Sequence, residues 1–491
     1  MKSTALKKIN LSVLVLSALL AISTQAASQP AQSISSHGIT WNFDKPYPSG
    51  AFITGDPWVL GPVKVVSVKP APGPFTEESG GEGLENIYGD VAMVDDKRMQ
   101  NGSMIILQPG PKQGYDSRLK NYDPAFSVEF PIQIDVDRSL ISTISNQTLP
   151  VPQLHNAIMW ASEKNSTLAL KSASVLTVLK EAPPADAFRP PYIGKEKPIF
   201  RASQIQWDLL PNLKPVASTP EWSQFERYFE RPWLDHQASW MHQHTGPSGN
   251  QANYGREFSR LTSIASLMLM LDVPKAQKEK LMIGLLQLGI DLNGLAQNGR
   301  KWSADGGHWN GRKWPVLFAA VMLGDERLQR LPDTVLFSED QQMYYGKGWL
   351  GQPALYQIVT HTGPKPPHEE KSPDQWDANN KRAESYRMTV SGGLPGTALA
   401  VQLMKAKAAW NHDAFFDYYD RWMSKEDVYA EKRGEFARPK QEGKSIDLFV
   451  DEMWDAYRTK VPNQAGGNRN RKWVWNVDSK AGEFINNPKA P

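Results

Sequence analysis

Residues 298–315, NGRKWSADGGHWNGRKWP, carry His308, Asn310 and Arg312 within five positions, set among three tryptophans and four glycines. An imidazole changes charge near neutral pH. An amide and a planar guanidinium can both hydrogen-bond a carboxylate. Together these groups suit removal of a proton from a carbon next to a carboxylate, the first step in β-elimination of a uronate-containing polysaccharide. That reaction needs a group to neutralise the C6 carboxylate as it gains enolate character, a base for the C5 proton and an acid for the O4 leaving group. It requires no metal or other cofactor.

Three further segments hold matching groups. HQASWMHQHTGPSGNQANYGRE contributes His236, His242, His244, Asn250, Tyr254 and Arg256, while EDQQMYYGKGWLGQ contributes Glu339, Asp340, Tyr344, Tyr345 and Lys347. ESYRMTVSGG adds Tyr386 and Arg387. The expected roles are His308 or His244 as base, Tyr254 or Tyr344 as acid, and Asn310, Arg312 and Arg256 as the neutralising set. Trp240, Trp302, Trp309 and Trp349 are the expected sugar-stacking residues, because aromatic faces pack on the apolar faces of pyranoses. Asn250, Lys347 and Arg387 are expected to reach hydroxyls or carboxylates of the same substrate.

The same residues admit other readings. His242 and His244 with His308 or His236 would make a three-nitrogen zinc site. Asp305, Glu339, Asp340 and Asp374 offer paired carboxylates for a glycoside hydrolase. NYGRE also reads as the start of a helix with Arg256 paired to an acid, and Tyr344 and Tyr345 as an ordinary half-buried pair. A third functional reading is an envelope protein that binds glycan without catalysis.

The elements that must position these loops change character along the chain. From 38 to 180 the apolar pattern is short, alternating and rich in Val and Ile, as in an antiparallel β-sandwich. Residues 181–220 are dense in proline and read as an extended linker on the surface. From 221 to 460 the period becomes helical: Phe258, Leu261, Ile264, Ala265, Met268 and Leu271 recur at spacings of three and four. Pro274 then opens a second such stretch, and further helices are expected at Trp314–Leu323, Thr397–Ala406, His412–Met423 and Ile446–Tyr457, with Asn411 as an N-cap. The fold class is therefore α+β and multidomain, a β-sandwich followed by an α/α toroid-like domain with long rim loops. The polar tail, 461–491, interleaves Arg469, Arg471 and Lys472 with Trp473 and Trp475, and is expected to dock through its tryptophans rather than bind nucleic acid.

Composition bounds the function. The 491 residues, 40% hydrophobic and 22% charged, suffice for a large core. Lys7 and Lys8 before the apolar run Leu11–Ile22 and the small residues of STQAAS are expected to form a signal peptide over 1–27, too short for a membrane span. The protein is accordingly expected in the periplasm or outside the cell. Its loss would remove Lys2, Lys7 and Lys8 and take the formal charge from +3 to zero, so any pull on an acidic polymer must be local. There is no cysteine, which excludes disulfides, thiolate metal sites and cysteine nucleophiles. No GxSxG elbow, no phosphate loop and no GxGxxG between a strand and a helix is present.

The β region, the helical hairpins and the Asn, His, Tyr and Arg of the rim loops resemble the helical-toroid polysaccharide lyases, including the alginate and chondroitin AC types. The resemblance spans residues 221–457. It implies an acidic polysaccharide or oligosaccharide as partner, an Asn and Arg neutraliser at Asn310 and Arg312, a base at His308 and an acid at Tyr254. In that group the β domain follows the toroid, whereas here it precedes the helices. GRKWPVLFAAVMLGD and LPGTALAVQLMKAKAAWNHDAFFDYYDRWM are also similar to uncharacterised secreted bacterial proteins.

Overall fold

In β2 (Ile39–Ala51), Ile39, Trp41 and Phe43 alternate with more exposed neighbours, so one face of the strand turns inward. In a computed structural model, this strand lies in a curled eight-stranded sheet that forms the N-terminal part, with helices following it. The structure describes residues 28–76, 94–95, 97–119, 121–147, 151–152, 165–166, 169–234, 254–360, 363–364, 367–424, 444–462, 464–467, 469–476 and 481–489. The other strands of the sheet are β1 (Gln29–Ser36), β3 (Pro57–Leu60), β4 (Val63–Lys69), β5 (Ser103–Met104), β6 (Ile132–Ile134), β7 (Arg138–Ser145) and β8 (Leu170–Leu179). Their order is β5-β7-β8-β3-β2-β4-β6, with β1 added on β2.

Two features depart from the expected antiparallel sandwich. The named strands of this half form one main sheet, and β8 pairs with β3 in parallel, Thr177 opposite Trp58. The curl lets Trp41, Phe43, Val59, Val65, Leu140 and Leu176 meet in a core inside the sheet. The opposite face, with Met104, Ile141, Ala173 and Val175, packs into the helical core. From Ala173 to Leu179 β8 is buried on both faces because it has protein on both sides, so small polar residues such as Ser174 and Thr177 lie inside with its apolar ones.

The helices are α1 (Trp222–Tyr228), α2 (Gly255–Leu269), α3 (Lys275–Gln297), α4 (Lys313–Leu323), α5 (Ser338–Gln342), α6 (Ala378–Ser391), α7 (Pro395–Leu403), α8 (Asp413–Ser424) and α9 (Leu448–Tyr457). Every residue of α2 is buried. Its charges survive there because they are paired: Arg256 to Glu257 at 2.5 Å, Arg260 to Glu257 at 3.0 Å and Arg260 to Asp447 at 2.8 Å. No helix among the described residues is long and apolar enough to cross a membrane.

The proline-rich segment 181–220 is a fastener rather than a surface linker. Proline denies it a regular backbone, but Phe188, Tyr192, Ile193 and Phe200 between the prolines are buried in the helical core. Arg189 lies wholly inside, donating from Nε to Asp56 Oδ2 at 2.7 Å and from Nη2 to Asp291 Oδ2 at 2.6 Å. Asp56 precedes β3 and Asp291 lies on α3, so one guanidinium ties sheet to helices.

The tail docks through one of its two tryptophans. Residues 471–476 and 481–486 form a hairpin, β11 and β12, numbered after the pair β9 (Met343–Tyr345) and β10 (Ala354–Tyr356). Trp473 docks against Ala304, Val359 and Leu336, beneath the loop that carries His308, while Trp475 remains 38% exposed. Asn411 is not an N-cap. It sits at φ 57°, ψ 39°, closing the short helical turn Lys407–Trp410, and α8 begins at Asp413, whose N–H donates to Asn470 Oδ1 at 2.7 Å. Phe415, Tyr419 and Trp422 of α8 are core residues.

Candidate functional site

The loop between α3 and α4 folds back as one turn of 3-10 helix, Asp305–Gly307, and glycine permits it. Gly306 has φ 74° and Gly307 φ 132°, conformations that disfavour any side chain. At position 307 a Cβ would also lie 2.7 Å from the Tyr254 hydroxyl and 2.5 Å from Val390. Gly255, the first residue of α2, approaches from the other side: a Cβ there would lie 2.2 Å from the Gly307 carbonyl oxygen and 2.7 Å from that of His308. Bare backbone therefore packs on bare backbone, and the side chains on either side are pressed together.

The outcome is a cluster. The Tyr254 and His308 rings meet edge to face with centroids 5.1 Å apart, and the Tyr254 hydroxyl donates to the Gly306 carbonyl at 3.2 Å. Asn310, wholly buried, donates from Nδ2 to Gln342 Oε1 at 2.8 Å, and Gln342 Nε2 donates to the Tyr356 hydroxyl at 3.1 Å. The Asn310 Oδ1 has no hydrogen-bond partner among the described residues. Tyr386 of α6 packs over Gly306 and is only partly buried, so with Asp305 it marks the edge nearest solvent. Burial raises the Tyr254 phenol well above its usual range, with Tyr386 adding to the shift and Arg256 opposing it, so it stays protonated at neutral pH.

Arg312 is placed differently from the expectation of a carboxylate-binding group. Its guanidinium is fully buried, lies 3.8 Å from the centre of the Phe258 ring, and donates to the carbonyls of Asn310 at 2.7 Å and His308 at 3.4 Å. It holds the loop from beneath. Arg300, which the sequence pattern did not single out, stands 4.5 Å from the Trp309 ring, and its Nε has no hydrogen-bond partner among the described residues. Burial, only partly offset by Tyr192, brings its guanidinium down to about 10.

Arg256 turns inward to Glu257 and to the Thr389 carbonyl, the helix-start reading of that residue. Tyr344 donates to Glu370 at 2.8 Å and has Lys472 4.1 Å from its ring centre, which commits it to the tail side of the β9–β10 pair. Arg387 is fully buried and forks onto Glu384 through Nε at 2.7 Å and Nη2 at 3.0 Å, so it orders α6 instead of reaching substrate. Trp302 is a core residue stacked on Phe337, and Trp309 has Arg300 4.5 Å and Arg312 5.4 Å from its ring centre. Both rings are buried. Trp349 is 45% exposed and Lys347 is exposed beside it, on the turn joining β9 to β10. His236, Trp240, His242, His244 and Asn250 lie outside the described residues.

Of the four carboxylates proposed for hydrolysis, Glu339 and Asp340 are engaged within the protein, while Asp305 is half-buried on the loop. Glu339 accepts from the Gly311 N–H at 2.6 Å, Asp340 is hydrogen-bonded to Lys313, and Asp374 is exposed on a separate turn. Among the described residues no group of three His, Asp or Glu comes together as a metal site.

Sequence reasoning also missed Gln342, Tyr356, His368 and Glu384. Gln342 ends α5, a five-residue helix of polar residues that is entirely buried, and a run such as SEDQQ reads as surface. The one available signal was the apolar MYY directly after it. When its sequence is compared with family models and curated proteins, and its fold with solved structures, the chain matches none.

Proposed function

We propose that the protein is an exported carbohydrate-active enzyme, a polysaccharide lyase that cleaves a uronate-containing glycan by β-elimination. The observation that carries this reading is the convergence of Tyr254, His308 and Asn310, brought from two segments of the chain onto one glycine-lined turn. In the reaction, His308 takes the C5 proton, the C5–H electron pair forms the C4–C5 double bond, and the C4–O4 bond breaks. Tyr254 delivers a proton to the departing O4. Its buried phenol, protonated at neutral pH, suits that role.

Asn310 faces the developing carboxylate. Turning the Asn310 and Gln342 amides over together keeps both hydrogen bonds, with Tyr356 donating to Gln342 and Gln342 to Asn310. The Asn310 N–H groups then point where Oδ1 now lacks a partner, as donors for an enolate oxygen. Arg300, beside Trp309, supplies positive charge in the role first expected of Arg312. Successive packing of α2, α3 and α4 is in keeping with an α/α toroid-like domain, and a relationship to the helical-toroid lyases belongs to this same reading. An apolar, cleavable signal over 1–27 would deliver the enzyme to the periplasm or the medium.

The saturated states of Glu339 and Asp340 count against a hydrolase. The test is to incubate purified protein with a panel of uronate polymers while recording ultraviolet absorbance of the unsaturated product and reducing ends. Both signals should rise together and vanish in His308→Ala. Reducing ends without absorbance would establish hydrolysis, and neither signal would leave a glycan-binding protein.

A further inference from the structure

A cavity lies well apart in the sequence from the His308 loop, where α1 and α3 meet the turn before β3. Its volume is about 680 Å³, within the range of small-molecule sites, and it opens at a junction between sheet and helices, where such sites concentrate. One wall is aromatic: Phe229 and Trp233 stack with centroids 5.3 Å apart.

Two buried polar atoms around this cavity have no hydrogen-bond partner among the described residues: Gln287 Oε1 on the helical side and His37 Nε2 on the sheet side. The Gln287 amide is fixed in orientation, because its Nε2 donates to the Arg189 carbonyl at 3.0 Å and lies 3.5 Å from Asp291 Oδ1. The oxygen therefore points away from that network. A buried polar atom without a partner keeps an uncompensated desolvation cost, so a group that satisfies it on binding is favoured.

We infer that this cavity binds an uncharged sugar residue. Its lining carries five carboxylates against three cations, a balance that repels a uronate. The place for a cation is already filled, since the Lys280 ammonium spans Glu230 at 2.8 Å and Glu226 at 3.5 Å, and Arg189 neutralises Asp56 and Asp291 at the floor. What remains unmet is an amide oxygen and an imidazole nitrogen. Hydroxyl groups satisfy both, and a pyranose face fits the aromatic wall. The inference does not depend on the lyase reading.

Calorimetric titration of the full-length protein with methyl glucoside, methyl mannoside and methyl galactoside, and with glucuronate and spermidine as charged controls, tests it. At least one methyl glycoside should bind at a single site with a dissociation constant on the order of 1 mM. Ala276→Trp, at an exposed position on the first turn of α3 that fills the cavity, should weaken it about tenfold or more. Gln287→Met, which keeps the shape and removes the acceptor, should do the same. Absence of binding by all three glycosides at about 10 mM, binding that Ala276→Trp leaves unchanged, or a preference for glucuronate or spermidine would each overturn the assignment.

Discussion

Tyr254 and His308 stand edge to face, 5.1 Å between ring centroids and 81° between planes, though they lie 54 positions apart in the chain. The contact keeps the phenol beside the imidazole, as the proposed pairing of acid and base on one sugar requires. Tyr254→Phe preserves the ring contact and removes only the proton donor. It should lower kcat by roughly 10²–10⁴, and the lost bond to Gly306 should cost about 1 kcal/mol of stability. Initial rates beside a thermal melt check this; a Tyr254→Phe enzyme of normal rate removes the phenol from the mechanism.

Gln342 sets which way Asn310 faces. Gln342→Glu, ionised, can only accept, so it would take the Asn310 N–H groups inward and turn Oδ1 toward the substrate carboxylate. The expected result is a rise of about tenfold or more in KM for a uronate polymer, with the circular dichroism spectrum unchanged. An unaltered KM would show that Asn310 does not meet the carboxylate.

Arg312 is expected to act through stability. Arg312→Ala removes the guanidinium from the Phe258 ring and frees the carbonyls of His308 and Asn310, a loss of about 2–4 kcal/mol. Arg312→Met, which keeps most of the volume, should recover part of it. Urea unfolding of the two variants measures the difference. Full stability with lost activity in Arg312→Ala would return Arg312 to substrate binding.

Acid should unfold the protein through α6. Burial alone would raise the Glu384 carboxyl, but Arg387 and the hydrogen bond from His368 hold it well below the usual range. Glu369 is likewise held down, its burial outweighed by Arg421, Arg387 and His368. With folded values below the unfolded one of about 4.3, the unfolded chain takes up protons first as pH falls. The stabilisation is therefore complete above about pH 5 and is lost as pH drops through the unfolded value toward the folded ones. Melting temperatures across this range should fall steeply in the native protein, while Glu384→Gln should start lower and fall less.

Arg189→Met should be among the most damaging single changes, by roughly 3–5 kcal/mol, because it strands two buried carboxylates. Replacing Asp56 and Asp291 with Asn in the same chain should restore part of the loss. No recovery in a calorimetric melt would mean that the clamp holds by shape and not by charge.

Much of the helical half was readable from periodicity, since a buried face imposes it: α4 occupies Lys313–Leu323, where Trp314–Leu323 was expected. The elements that escaped are those where polarity and burial part company. Residues 181–220 look like a linker because proline marks loops, yet Phe188 and Tyr192 carry them inside, and nothing local announces that Arg189 will meet Asp56 and Asp291. α5 looks like surface for the mirror-image reason. At the site, His308, Asn310 and Tyr254 could be picked out by residue type. The different fates of Arg312 and Arg300 could not, because they depend on Arg312 turning inward to the His308 and Asn310 carbonyls while Arg300 stays half-buried.

Gly255 and Gly307 let two stretches of main chain touch with no side chain between them. Such a joint has no slack. A methyl group at either position would push the phenol and the imidazole apart by more than their contact allows, so the spacing of the two proton-carrying groups is written in hydrogens, at positions with no side-chain chemistry of their own. Saturation mutagenesis across the loop should therefore find its least forgiving sites at two residues that never touch a substrate.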